Sequence, residues 1–158
     1  MHPDPDLKKV FRTTVFVSGA MLASLFLYAL MVELVRSQLK PFPGLLVSGV
    51  RHQTLRYLFF AAAVGAVVLV RFAGRARFKK TPGEDLSRLI FRLSRTAVIT
   101  SALAELPAVL GFVLFLLTGF SRDFYVLLFS SLVLEFIYFP RQRDWQDLVR
   151  ESFPRQGM

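Results

Sequence analysis

Cysteine is absent from this chain of 158 residues, which excludes disulfides and thiolate-held metals. Histidine occurs only at His2 and His52, a poor basis for an imidazole metal centre, so neither a metal nor a cofactor is expected. Acidic side chains are also scarce, 11 against 20 Lys and Arg, leaving a formal charge of +9. No glycine loop for nucleotides is present, and no nucleophile stands with a base in a recognisable pattern, so no enzyme class is indicated. The cations lie between apolar runs instead of gathering into one basic face, which argues against a nucleic-acid partner. What the chain has in excess is apolar surface. It is 54% hydrophobic and carries 17 Phe, more than a soluble domain of this size can hide, so the bilayer is the expected solvent.

The expected fold is an all-α membrane protein, a single integral domain over 1–158 with four transmembrane helices at about 13–35, 55–72, 96–118 and 123–139. The first run follows Lys8, Lys9 and Arg12 and is longer than a secretory signal core. No clean small-x-small cleavage site follows the run before Glu33 and Arg36, so it reads as a retained anchor. The second span is the shortest, and Arg56 and Arg71 must carry their heads to opposite interfaces. With both termini inside, 15 Lys and Arg face the cytoplasm and five, Arg36, Lys40, Arg51, Arg56 and Arg122, face out. Cationic loops resist translocation, so N-in and C-in is the expected topology, in the inner membrane of a bacterium, with a cytoplasmic tail at 140–158.

Small residues recur at helical spacing: Gly19 with Ala23, Ala61 with Gly65, Ala62 with Ala66, and Ala104 with Ala108. Such pairs let backbones approach closely in lipid, where no hydrophobic drive operates between helices, and they predict a compact bundle or an oligomeric face. Pro41, Pro43 and Gly44 predict a turn in the outer loop, and the short Gly119–Asp123 link predicts an antiparallel hairpin of spans three and four.

In the inner loop, Thr81, Pro82, Gly83 and Glu84 form a capping-box pattern. Leu86, Leu89, Ile90 and Leu93 then share one helical face, beside the cations Arg88, Arg92 and Arg95. This basic amphipathic stretch is expected on the inner leaflet, where Arg75, Arg77, Lys79, Lys80, Arg88 and Arg92 would meet anionic headgroups, each contributing about 1 kcal/mol. After Pro140, a short amphipathic helix is expected with Trp145, Leu148, Val149 and Phe153 on one face, Trp145 suiting either the headgroup level or a partner subunit.

Glu33, Glu105 and Glu135 fall inside or at the edge of spans, and depth separates them. Glu33 lies three residues before Arg36 at the outer end, where an interfacial ion pair is expected. Glu135 lies about 6 Å below the inner boundary, within reach of water or of Arg141 or Arg143. Glu105 is nine residues from Thr96, roughly 14 Å deep, with no cation nearby in its own span. Placing an acid there costs roughly 2.5–3.5 kcal/mol. It is expected to stay neutral unless an Arg of another helix or a water path reaches it. Two roles fit: a site for proton exchange, or a neutral acid that joins helices by hydrogen bonds. Pro107 lacks an amide and frees the Leu103 carbonyl, loosening the backbone beside the acid.

The stretch Ala102-Leu103-Ala104-Glu105-Leu106-Pro107-Ala108-Val109-Leu110-Gly111-Phe112-Val113 resembles the carboxylate-bearing helix of the c subunit of rotary ATP synthases. Ala61-Ala62-Ala63-Val64-Gly65-Ala66 is loosely similar to the preceding helix of that hairpin, so the likeness extends over about 57–118. The resemblance implies that Glu105 carries a proton or cation. The chain differs in having one glycine, Gly65, in place of a dense glycine repeat, a longer basic inner loop, and two further spans.

Two functions follow as expectations. The first is a noncatalytic subunit or assembly partner within a membrane complex, homo- or hetero-oligomeric, with the bilayer and its anionic headgroups as surroundings. The second is proton or cation translocation through Glu105.

Overall fold

The structure is a computed structural model and describes residues 5–45, 52–76, 86–141 and the single positions 143, 145 and 147. Among them, the chain order is α1 (Pro5–Gln38), α2 (His52–Ala76), α3 (Leu86–Thr118) and α4 (Ser121–Tyr138), with no strand. Three of these helices, α1, α2 and α3, are long and apolar enough to cross a membrane. At 1.5 Å per residue α1 and α3 each run to about 50 Å, well beyond a hydrocarbon core of about 30 Å. α4 spans about 27 Å by the same rise and holds Arg122, Asp123 and Glu135. α3 is the centre of the bundle: it packs on all three other helices, and α4 forms its largest interface.

α3 stops at Thr118 because Gly119 turns left-handed, with φ +76°, and its amide donates to the Phe115 carbonyl at 2.7 Å. The loop after α1 folds back over this helix end, the end of the bundle termed outer. Gly44, φ +87°, lies so close that a Cβ there would stand 2.5 Å from the Leu117 carbonyl oxygen, and one on Gly119 would stand 2.5 Å from that of Phe42. The Leu45 amide donates to the Leu116 carbonyl at 2.9 Å, and the Phe42 ring packs 5.3 Å from that of Phe115. The prolines and glycine therefore make a backbone lock rather than a free turn. Leu46 and Val47 lie outside the described residues.

The apolar core falls into three groups. Leu25, Val32, Ala108, Phe115, Phe124 and Leu128 fill the outer half. Val70, Ala104 and Leu134 form a small middle group. Leu89, Ile90, Leu93, Ala97 and Trp145 form the inner one, with Val10 and Phe11 against it. The middle is thin because hydroxyls and carboxyls occupy it.

The inner group shows what covers two of the amphipathic faces. The Leu89, Ile90 and Leu93 face belongs to α3, which runs unbroken from Leu86, and it is covered by protein. Trp145 is buried against it, with its ring edge-on to Phe11 at 5.3 Å, as expected of a residue that docks on protein. Of the cations assigned to lipid contact, Arg88 is exposed and Arg92 half-buried. Arg77, Lys79, Lys80, the capping box at 81–84 and the side chain of Arg75 lie outside the described residues, as do Leu148, Val149 and Phe153.

The small-residue pairs divide sharply. Ala104 and Ala108 are fully buried where α3 meets its neighbours. At Gly19 and Gly65 an added Cβ would meet nothing within 4 Å, and Ala23, Ala61 and Ala62 are exposed. Close approach inside the chain thus uses the α3 pair, and the α1 pair and Ala61 with Gly65 on α2 face outward.

A polar seam through the bundle

α1 and α3 run side by side, and their contact is marked by hydroxyls at nearly every turn. Thr14 and Ser94 share a hydrogen bond of 2.8 Å. One to two turns further out, Ser101 donates to Ser18 at 3.1 Å. At mid-depth Glu105 receives hydrogen bonds at one carboxyl oxygen, Oε1, from the hydroxyls of Ser24 and Tyr28, the latter at 2.8 Å. Ser24 and Tyr28 stand four residues apart, so one face of α1 supplies both donors.

Proton counting makes this site specific. The Ser24 oxygen also lies 2.6 Å from the Met21 carbonyl oxygen, yet its hydroxyl has one proton for the two neighbours. When Glu105 is a carboxylic acid, its own proton bonds to Ser24, Ser24 bonds to Met21 and Tyr28 bonds to Glu105, so every group is satisfied. When Glu105 is a carboxylate, Ser24 must turn to it and leave the Met21 carbonyl. The Ser24 hydroxyl therefore serves both neighbours only when Glu105 donates to it.

Pro107 is buried two residues beyond Glu105, and α3 continues through it. The next amide, on Ala108, donates to the Ser131 hydroxyl of α4 at 2.8 Å. A hydroxyl from the neighbouring helix thus braces the backbone beside the proline, as polar side chains do at prolines in membrane helices.

The other acids sit differently. Glu33 is exposed and bonds to Arg36 at 2.8 Å, and it also accepts from the Tyr125 hydroxyl at 2.5 Å. Glu135 is buried, and neither oxygen has a hydrogen-bond partner among the described residues. The expected pairing with Arg141 is not made. Both residues line one half-open cavity of about 310 Å³, together with Leu22, Phe136 and Phe139. α4 ends at Tyr138, before Pro140, and Arg141 follows outside the helix.

A further ion pair ties the outer ends of α2 and α4. Arg56, expected to carry its head to an interface, donates from Nη2 to the buried Asp123 at 2.7 Å, and its guanidinium lies 5.9 Å from the centre of the Phe60 ring. Sequence reasoning located Glu105 and Pro107 and missed Ser18, Ser24, Tyr28, Ser101 and Ser131. Their signal was weak: Ser24 and Tyr28 share a helical face, but hydroxyls are common in membrane helices. No group of three or more metal-ligating His, Asp or Glu occurs among the described residues.

Comparison of the chain with family models, curated proteins and solved structures returns no match.

Proposed function

We propose that this protein is a small noncatalytic subunit or assembly partner of a membrane complex. In this reading all four helices cross a bacterial inner membrane and both termini are cytoplasmic. The observation that carries it is the outward placement of close-packing sites. Gly19 and Gly65 have no neighbour within 4 Å of where a side chain would begin, so α1 and α2 each offer a surface on which another helix can lie. The 15 to five bias of inner over outer cations supports the orientation. Because the natural chain has no cysteine, single substitutions such as Ala61→Cys and Gly65→Cys give crosslinks without background. Crosslinked dimers or mixed complexes in native membranes are the expected result. Monomer alone, at every outward position and after gentle extraction, contradicts the reading.

A second reading, proton or cation translocation through Glu105, is favoured by the hydroxyl cage and its dependence on a proton. The likeness of residues 102–113 to the c-subunit helix points the same way. Here Glu105→Gln should abolish labelling by an apolar carbodiimide and any proton flux, with insertion intact. Unchanged labelling in that variant removes this reading.

A further inference from the structure

The seam and the cavity meet at Glu135. α3 and α4 are antiparallel across a two-residue link, and Ser131 contacts the Ala108 amide. One helical turn inward from that contact, Glu135 lies opposite Ala104, between Glu105 and Ser101. The Ser101 hydroxyl lies beside it and also bonds to Ser18, so neither carboxyl oxygen of Glu135 has a well-formed hydrogen bond among the described residues. Such a group is costly to bury with nothing to answer it, and here it forms part of a cavity wall. The other lining groups are Leu22 of α1, Phe136 and Phe139 of α4, and Arg141. The charged groups facing Glu135 are Glu105 from α3 and Arg141 after α4. α1 contributes Ser18 and Leu22, and α2 meets the adjacent Leu134 through Val70, all uncharged.

We infer that Glu135 is a second protonation site, reached by water from the inner side through this cavity, and that it exchanges protons with Glu105. The inference rests on the translocation reading of Glu105. A proton carried into the cavity as hydronium joins the Glu135 carboxylate and leaves a neutral water. The resulting acid turns toward α3 and gives the same proton to a Glu105 carboxylate, so only O–H bonds break and form and Glu135 returns to its charged form. Arg141, in the same cavity, is the counter-charge for that form. On the far side Tyr28 and Ser24 receive the change through the Glu105 hydrogen bonds. The Arg141 guanidinium and the Glu135 carboxylate thus bracket a short route from the inner surface to mid-membrane.

The test uses the full-length protein in vesicles transferred to deuterated buffer, with infrared bands of the carboxylic acids followed in time. Glu105→Gln identifies the Glu105 band. In the otherwise natural protein that band should shift promptly. Glu135→Gln should slow its exchange about tenfold, equivalent to about 1.4 kcal/mol of barrier. Leu22→Trp, which fills the cavity and alters neither acid, should slow it similarly, so the proposal does not depend on the folding of one variant. Unchanged exchange at Glu105 in both variants overturns the proposal. The translocation reading fails separately, if Glu105→Gln leaves proton flux intact; slowed exchange in Glu135→Gln would still establish the route.

Discussion

The outer end of the bundle and its middle are built from opposite materials. Outside, backbone meets backbone at Gly44 and Gly119, the Phe42 and Phe115 rings pack at a tilt, and Arg56 is paired with Asp123. In the middle, the apolar core thins to Val70, Ala104 and Leu134, and side-chain hydroxyls and carboxyls carry the contacts between helices. Close backbone contacts have one arrangement. Hydroxyls can exchange hydrogen-bond partners, so the middle of the bundle is held by adjustable contacts and one end by fixed ones.

Substitutions at the two ends of this contrast should rank accordingly. Gly119→Val adds a branched side chain where the backbone is left-handed and where its Cβ would stand 2.5 Å from the Phe42 carbonyl oxygen. It should destabilise by roughly 3 kcal/mol, through overpacking and backbone strain, in a denaturant titration of the detergent-solubilised protein. A loss under 1 kcal/mol would show that the outer lock is loose. Glu105→Leu leaves the Tyr28 hydroxyl without its acceptor and should cost about 1–2 kcal/mol in the same titration. Glu135→Leu removes a carboxyl that has no partner and should be neutral or stabilising. Equal losses at positions 105 and 135 would erase the distinction between a satisfied acid and an unsatisfied one.

Ser131→Ala removes the acceptor for the Ala108 amide, and membrane hydrogen bonds of this kind average about 0.6 kcal/mol. The expected sign is a small destabilisation with faster amide hydrogen exchange confined to residues near Pro107. Smallest of all is Glu33→Gln, where the ion pair with Arg36 is exposed. No measurable change in stability is expected there.

Much of the architecture was legible because hydropathy and charge act over long stretches: the apolar runs gave the helices, and the pattern around Glu105 and Pro107 pointed to the interior site. Helix ends were less legible. α1 and α3 extend well past their apolar limits because Phe11, Leu89, Ile90, Leu93 and Trp145 cover one another there. The cage around Glu105 depends on the register of α1 against α3, which brings Tyr28 to an acid 77 residues away. Nothing local in the sequence encodes that meeting. The small-residue pairs showed where close packing is permitted, and only the assembled bundle separates the pair used inside, Ala104 with Ala108, from those left facing outward.

The most direct test is a cysteine scan through positions 102–109 in native membranes, using a membrane-impermeant thiol reagent together with oxygen-based relaxation of attached spin labels. The account predicts high oxygen access at the exposed positions 102, 106 and 109 and no reaction with the aqueous reagent at 105 from either side. Rapid modification of Glu105→Cys by that reagent would contradict it, because the carboxylate would then sit in water and not in a hydroxyl cage within the bilayer.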